Sequence, residues 1–411
     1  MESNVDIVIV GAGISGLALA LGLHRLGIKS LVLESSDSLR AAGIAFTAWT
    51  NAWRALDALG IGESLRQSHG QILGVRTTSI VTGKMTSYVS FTDKGAYGNH
   101  EVRCVKRKVL LEALAKELPS ETIRYSSKVV AIQEFKSFSK IVHLSNGSLL
   151  QTKVLIGCDG VNSVVAKWLG FEKPSLTGRM AIRGCTYYNE GHNFEPIFEL
   201  LVGNGYRYGV LPCDNSAVFW FITFYPSIQE SELLEDADQS KLKQFVLSKL
   251  GKGSDEIRTI IEGSEVEEIV RSSIGCRTIW DVLFGNISKD NVCVAGDACH
   301  PMPPYLGQGG CTALEDALVL ARCLRAAVFK TTLYSMSEDE FRDVTVVLKK
   351  FARLRRWRAF DITVTSHVVG FLQECNWVGT RVLRENLFSG WLARFYVKKA
   401  DFDPRELALE N

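Results

Sequence analysis

Residues 6–16 read Asp6-Ile7-Val8-Ile9-Val10-Gly11-Ala12-Gly13-Ile14-Ser15-Gly16. The β-branched run up to Val10 is the pattern of a strand buried on both faces of a parallel sheet. Beyond the glycines, Leu17, Leu19, Leu21, Leu23 and Leu26 fill a helical segment ending near Gly27. Ser30-Leu31-Val32-Leu33 then gives a second strand, followed at once by Glu34. The residue types follow from mechanics. Gly11 permits a tight turn, Gly13 admits a pyrophosphate to the backbone, and Gly16 lets helix and strand pack closely. The helix start around Ser15 offers free N–H groups and a partial positive charge to phosphates. Glu34 stands 18 residues beyond Gly16, near the offset for an acid that accepts both hydroxyls of an adenosine ribose. An acid there favours FAD or NAD over NADP.

Working outward, 411 residues are too many for one ordinary domain and suggest two or three. With 46% apolar and 22% charged residues, 35 Gly and 9 Pro, the chain is globular, which excludes disorder, collagen-like repeats and a coiled coil. A net charge of +2, from 47 basic and 45 acidic residues, gives no reason to expect nucleic acid. The ten cysteines include no C-x-x-C and no zinc spacing, so they read as reduced, mostly buried thiols of a cytoplasmic protein without a metal site. Val5 to Leu23 imitates a membrane span, but Asp6 and the glycines divide it, and a strand followed by a helix explains it better.

Two further strands end in the same way. Lys153-Val154-Leu155-Ile156-Gly157-Cys158-Asp159-Gly160 is one, followed by Val161-Asn162-Ser163. Asn291-Val292-Cys293-Val294-Ala295-Gly296-Asp297 is the other. After it come His300, Pro304, Gly307, Gly309 and Gly310, then a long helix carrying Glu315 and Asp316. Together the three segments resemble the signatures of the group A flavoprotein monooxygenases, the FAD-dependent aromatic-ring hydroxylases and their epoxidase relatives. Those signatures are G-x-G-x-x-G, an internal D-G, and G-D-x-x-H-x-x-x-P-x-x-G-x-G. The segment G-Q-G-G-C-x-A-x-E-D looks most like the branch of urate hydroxylase-like, zeaxanthin epoxidase-like and plant monooxygenase-like enzymes.

The resemblance implies FAD as cofactor, with Gly11, Gly13, Ser15, Gly16 and Glu34 on its adenosine diphosphate half. It implies that Asp297 accepts from ribityl hydroxyls and that Gly307, Gly309 and Gly310 keep side chains off the flavin. Pro304 would lie beside the ring, Arg107 would contact the cofactor, and Asp159 would serve both FAD and the nicotinamide donor. The implied reaction starts with reduction of FAD by NADPH or NADH. Oxygen then adds at flavin C4a, and the distal oxygen of that hydroperoxide passes to a small aromatic or apolar substrate in a hydroxylation or epoxidation. Two positions depart from the pattern: Ala166, with Lys167 beside it, where the D-G element expects Arg, and Cys299 in a usual Ala position.

Residues 176–275 change character. Arg179 to Tyr188, Ile197 to Val202, Gly205 to Leu211 and Ala217 to Phe224 read as strands of an inserted antiparallel sheet. Alternation puts Tyr206 with Tyr208, and Phe219 with Phe221, on shared faces. Arg183 and Arg207 suit an anionic substrate, Tyr208 and Arg183 are the candidates for catalytic roles, and His300 reads as structural or cofactor-side. The expected fold is α/β: an FAD/NAD(P)-binding Rossmann-like domain (1–75, 100–175 and 276–340), a substrate-binding sheet domain (76–99 and 176–275) and a C-terminal helical region (341–411).

In that last region Lys349, Lys350, Arg353, Arg355, Arg356 and Arg358 cluster beside Trp357 and Phe360, most simply as a solvated helix face. Further apolar residues, Trp377, Leu387, Phe388, Trp391, Leu392 and Phe395, suit docking, self-association or a lipophilic entrance. The partners expected are a small aromatic or apolar molecule and O2, with no nucleic acid and a monomer or homodimer; the basic helix leaves membrane contact open as an alternative that is not expected. Two alternatives stand beside the oxygenase: a flavin-dependent reductase or dehydrogenase on the same fold, and a non-catalytic carrier of the Rab-escort type.

Overall fold

A computed structural model describes residues 4–40, 44–135, 138–251, 254–327, 336–374 and 389–405. At its centre the strand Asn4–Val10 pairs in parallel with Leu31–Leu33 on one side and Leu149–Gly157 on the other. Val292–Val294 and Ile123–Arg124 extend this parallel sheet. Val129–Glu134 and Lys140–Leu144 add an antiparallel pair along the first half of Leu149–Gly157. Ile7, Val8 and Ile9 are fully buried, as a strand covered on both faces requires. The register places the site. Val10 lies opposite both Leu33 and Gly157, and Gly157 lies opposite Val294. The chain therefore leaves the sheet at Gly11, Glu34, Cys158 and Ala295 along one edge.

The helix Ile14–Arg25 is buried from Ile14 to Leu23 and packs on the helix Gly309–Arg325. A second sheet runs in the order Val270–Cys276, Ser175–Tyr187, Ala217–Phe224, Tyr206–Asp214, Ile197–Gly203, Gly74–Ser79, Met85–Ser90. All its pairings are antiparallel except that of Ile197–Gly203 with Gly74–Ser79, which is parallel. The sheet is thus mixed rather than wholly antiparallel. Those two strands come from distant segments, so no hairpin dictates their relative direction.

The two faces of this sheet have different fates. Cys185, Phe198, Leu200, Leu211, Cys213 and Phe219 join the core of the first domain. Ile182, Leu201, Tyr208, Trp220, Ile222 and Phe224 form a second core, closed by Leu242, Phe245 and Val246 of the helix Gln239–Ser248 and by Ile257, Ile260 and Ile261 of the helix Asp255–Glu262. Burying each large apolar side chain there stabilises the fold by about 1.5–3 kcal/mol before entropy is counted.

The long helix Glu338–Glu374 departs from the expected solvated face. Arg353 and Trp357 are exposed, but Arg355 is buried and Arg358 half-buried, both turned toward the first domain. The cause is the pair of carboxylates they meet, Glu315 and Asp316 on the helix Gly309–Arg325. The helix Ser389–Ala400 brings Tyr396 to stack on Trp49, with ring centroids 5.8 Å apart. Just beyond it, Asp401 pairs with Arg54 at 3.2 Å. Trp377, Leu387 and Phe388 lie outside the described residues, as do the side chains of Trp391 and Leu392. Among the described residues no helix is long and apolar enough to cross a membrane. The nine described cysteines are unpaired by disulfide and buried.

Candidate cofactor site

The strand ends open onto a cleft of about 530 Å³. Gly11, Gly13, Ser15, Glu34, Arg107, Asp159, Asp297, Gly309 and Gly310 all line it. Gly11 has φ +99°, where a side chain is strained, and a Cβ there would lie 2.6 Å from the Cys158 carbonyl oxygen. Gly13 is different: a Cβ on it would meet nothing within 4 Å. The space against Gly13 is therefore room for a ligand, not for protein.

At one end of the cleft, the Glu34 carboxylate accepts the N–H of Ala12 at 2.9 Å and that of Ser36 at 2.9 Å, and pairs with Arg40 at 3.1 Å. Burial works against its charge, but these donors outweigh it and hold the carboxyl below its usual range. At the other end Asp297 is exposed only in the sense that it faces the cleft. Burial pushes its pKa up, against the opposing pull of His300 and Arg107. A Cβ on Gly309 would lie 3.8 Å from its Oδ1. Gly309 begins the helix Gly309–Arg325, whose first N–H groups have no acceptor within the helix.

Between the two ends, Arg107 opens the helix Arg107–Lys116, and its buried Nε has no hydrogen-bond partner among the described residues. Asp159 accepts from Ser163 Oγ at 2.6 Å and from the N–H of Val164 at 2.7 Å, so it also ties down the start of the helix Val164–Trp168. Burial pushes its carboxyl up.

Gly16, Pro304 and Gly307 are not among the lining residues. Gly16 packs on Gly11. Pro304 starts a single 3-10 turn to Leu306, which Gly307 closes at φ +62°. Ala166 is buried, and it is Lys128 rather than Lys167 that lines the cleft. Ser127, Lys128 and Val129 follow the two-residue strand Ile123–Arg124, and no motif in the sequence flagged them.

On the sheet side, Arg183 Nη1 donates to Ser272 Oγ at 3.0 Å, and burial together with the charge of Arg107 lowers its pKa. Tyr208 is turned the other way. It is fully buried in the second core, its hydroxyl donates to the Val246 carbonyl at 3.1 Å, and it does not line the cleft. Arg207 sits on the face toward the first domain, over the rings of Phe221 (4.9 Å) and Tyr305 (5.5 Å). Its Nη2 reaches the Tyr305 carbonyl at 3.4 Å, while Nε and Nη1 have no partner among the described residues. His300 is fully buried, with Nε2 2.6 Å from Asp316 Oδ2. Burial disfavours its charged form, yet Asp316 carries its pKa above the ordinary value.

A family described as an FAD binding domain matches residues 4–332, most of the chain. The chain belongs to this family of flavoproteins. It is 47% identical to Monooxygenase 2 of Arabidopsis thaliana over 406 residues, covering 98% of each chain. It is 36% identical to Monooxygenase 1 of the same plant, covering 89% of this chain and 90% of that one. Its fold matches that of HpxO from Klebsiella pneumoniae complexed with FAD and uric acid, at a TM-score of 0.75 and 21% identity over 98% of this chain and 95% of that one.

The protein is an FAD-dependent monooxygenase of a family that uses NAD(P)H and O2. The cleft of this monooxygenase suits FAD on its own chemistry. It has open space against the Gly13 backbone, an unpartnered guanidinium N–H at mid-length, and a carboxylate acceptor facing inward beside a helix start.

Proposed function

We propose that FAD lies along the cleft with its adenosine ribose at Glu34 and its pyrophosphate at Gly11, Gly13 and Ser15. Arg107 and Asp159 attend the middle, and Asp297 accepts from the ribityl hydroxyls. Gly309 and Gly310 bring backbone N–H groups to the flavin's carbonyl edge. Gly16, Pro304 and Gly307 act one step back, by fixing the helix approach and the turn beside the ring. The observation that carries this reading is the register that brings four strand ends to one edge. Bound FAD supplies the redox and oxygen-transfer chemistry; the protein binds, orients and excludes water.

The substrate we assign is a small aromatic or apolar molecule bearing one acceptor group, held between the flavin edge and the sheet face of Phe198, Phe219 and Phe221. Arg207 is the residue proposed to meet that acceptor, because a buried guanidinium with two unused donors is costly without a partner. Arg183, beside Arg107, contributes positive charge to the same wall. The nine buried thiols support a reducing compartment such as the cytoplasm.

The purified chain is expected to be yellow, to consume NAD(P)H faster when its substrate is present, and to place one atom of labelled O2 in the product. Substrate-stimulated turnover with no label in the product would favour the reductase alternative instead.

A further inference from the structure

Asp297 sits on a turn held from below. Its neighbour Gly296 donates its N–H to Asp316 Oδ2 at 2.8 Å, and His300, at the far end of the turn, approaches the same oxygen at 2.6 Å. Within the turn, the N–H groups of Cys299 and His300 both reach the Gly296 carbonyl at 2.9 Å. Asp316 thus grips both ends of the loop that aims Asp297 into the cleft. Its other oxygen, Oδ1, accepts from Arg355 Nε at 2.6 Å, while Arg355 Nη2 holds Glu315 at 2.5 Å. Glu315 is shared with Arg358 at 2.8 Å and with Asn51 at 2.6 Å. Arg355, Asp316 and Glu315 are all essentially without solvent exposure. Arg355 lies on the helix Glu338–Glu374, beyond the residues 4–332 that match the FAD-binding family.

We infer that Arg355 is a positioning residue for FAD, acting through Asp316 on the turn that carries Asp297. Asp316 is held between two cations, Arg355 on Oδ1 and His300 on Oδ2, and removing one partner of a buried ion pair is strongly unfavourable. Without Arg355, Oδ1 loses its donor and the carboxylate is free to turn about its remaining bonds to His300 and the Gly296 N–H, which changes the angle of Asp297. Arg358 pairs with Glu315 and, among the described residues, with no other carboxylate. The inference rests on the cofactor reading above.

The test is FAD titration of apoprotein, followed by quenching of flavin fluorescence, for wild type, Arg355→Met and Arg358→Met, with folding checked by far-UV circular dichroism. Arg355→Met is expected to weaken FAD binding at least tenfold and to shift the visible spectrum of bound flavin, while Arg358→Met stays within threefold of wild type. An Arg355→Met affinity within threefold of wild type, or equal losses in the two variants, overturns the inference. If Arg355→Met does not fold, the isosteric Asp316→Asn is read by the same criterion, and an unchanged affinity there overturns it. Wild-type protein that takes up no FAD overturns the cofactor reading and the inference together, and so separates the two failures.

Discussion

A side chain on residue 16 has no room to begin, because its Cβ would stand 2.0 Å from the carbonyl oxygen of Gly11. Gly16→Ala must push the helix Ile14–Arg25 off the strand Asn4–Val10. The cost expected is about 1–3 kcal/mol or more of apoprotein stability, as for other overpacked sites. Gly13→Ala meets only open space and should leave the apoprotein melting temperature unchanged while weakening FAD binding at least tenfold. Thermal melts of both apoproteins, with FAD titration of each, check the pair. A Gly13→Ala variant with normal FAD affinity would remove the pyrophosphate from that spot.

Glu34 carries a pH signature. Its native pKa lies below the ordinary 4.5, so the stability it contributes is fully present above that value and is lost as pH falls through the depressed native pKa. Glu34→Gln removes the effect. Urea midpoints of wild type and variant, measured from pH 6 downward, are expected to differ above pH 4.5 and to converge below it. Parallel curves throughout would contradict the donor set around this carboxylate.

His300 gives the opposite sign. Its native pKa is raised above 6.5, so its contribution is complete below that pH and fades as pH rises through the native value. The groups facing it are Asp316, which favours the charge, and Arg355, which opposes it, with Asp297 on the favouring side. His300→Gln apoprotein is expected to show a flatter fall in urea midpoint between pH 6.5 and 9 than wild type does. An identical slope would mean that His300 is neutral in the native protein.

Two neighbours in one strand should separate cleanly. Tyr208→Phe loses the bond to Val246 and about 0.5–1.5 kcal/mol of stability, with turnover unchanged. Arg207→Gln is expected to raise KM for the substrate at least tenfold while leaving the melting temperature equal or higher, since a buried cation disappears whose Nε and Nη1 have no partner among the described residues. Denaturant unfolding alongside steady-state kinetics decides between them. Lost turnover in Tyr208→Phe would reverse the assignment of the two sheet faces.

That contrast marks what was legible in the sequence. The first domain could be read because its strands are short apolar runs that end in glycine, in acid or in both, and local sterics at Gly11 and Gly16 demand glycine. Alternation also grouped Tyr206 with Tyr208 and Phe219 with Phe221. It could not say which group faces the flavin domain, because a period of two is blind to what covers each face. Helices Gln239–Ser248 and Asp255–Glu262 settle that, and their docking is a tertiary event.

The same blindness affected Arg355 and Arg358. A run of cations along a helix reads as solvent-facing until Glu315 and Asp316, some forty residues earlier in the chain, are found opposite. Lys128 and Ser127 were invisible for a simpler reason: they reach the cleft from a loop with no compositional mark.

The ion pair between Arg54 and Asp401 joins residues 347 positions apart, and the Trp49–Tyr396 stack spans the same distance along the chain. Ribosomes add roughly 5–20 residues per second, so the helix Thr50–Leu59 emerges and then waits on the order of tens of seconds for its last neighbours. Throughout that interval Trp49 lacks its stacking partner, and the nascent chain presents to chaperones a wall that the finished protein conceals.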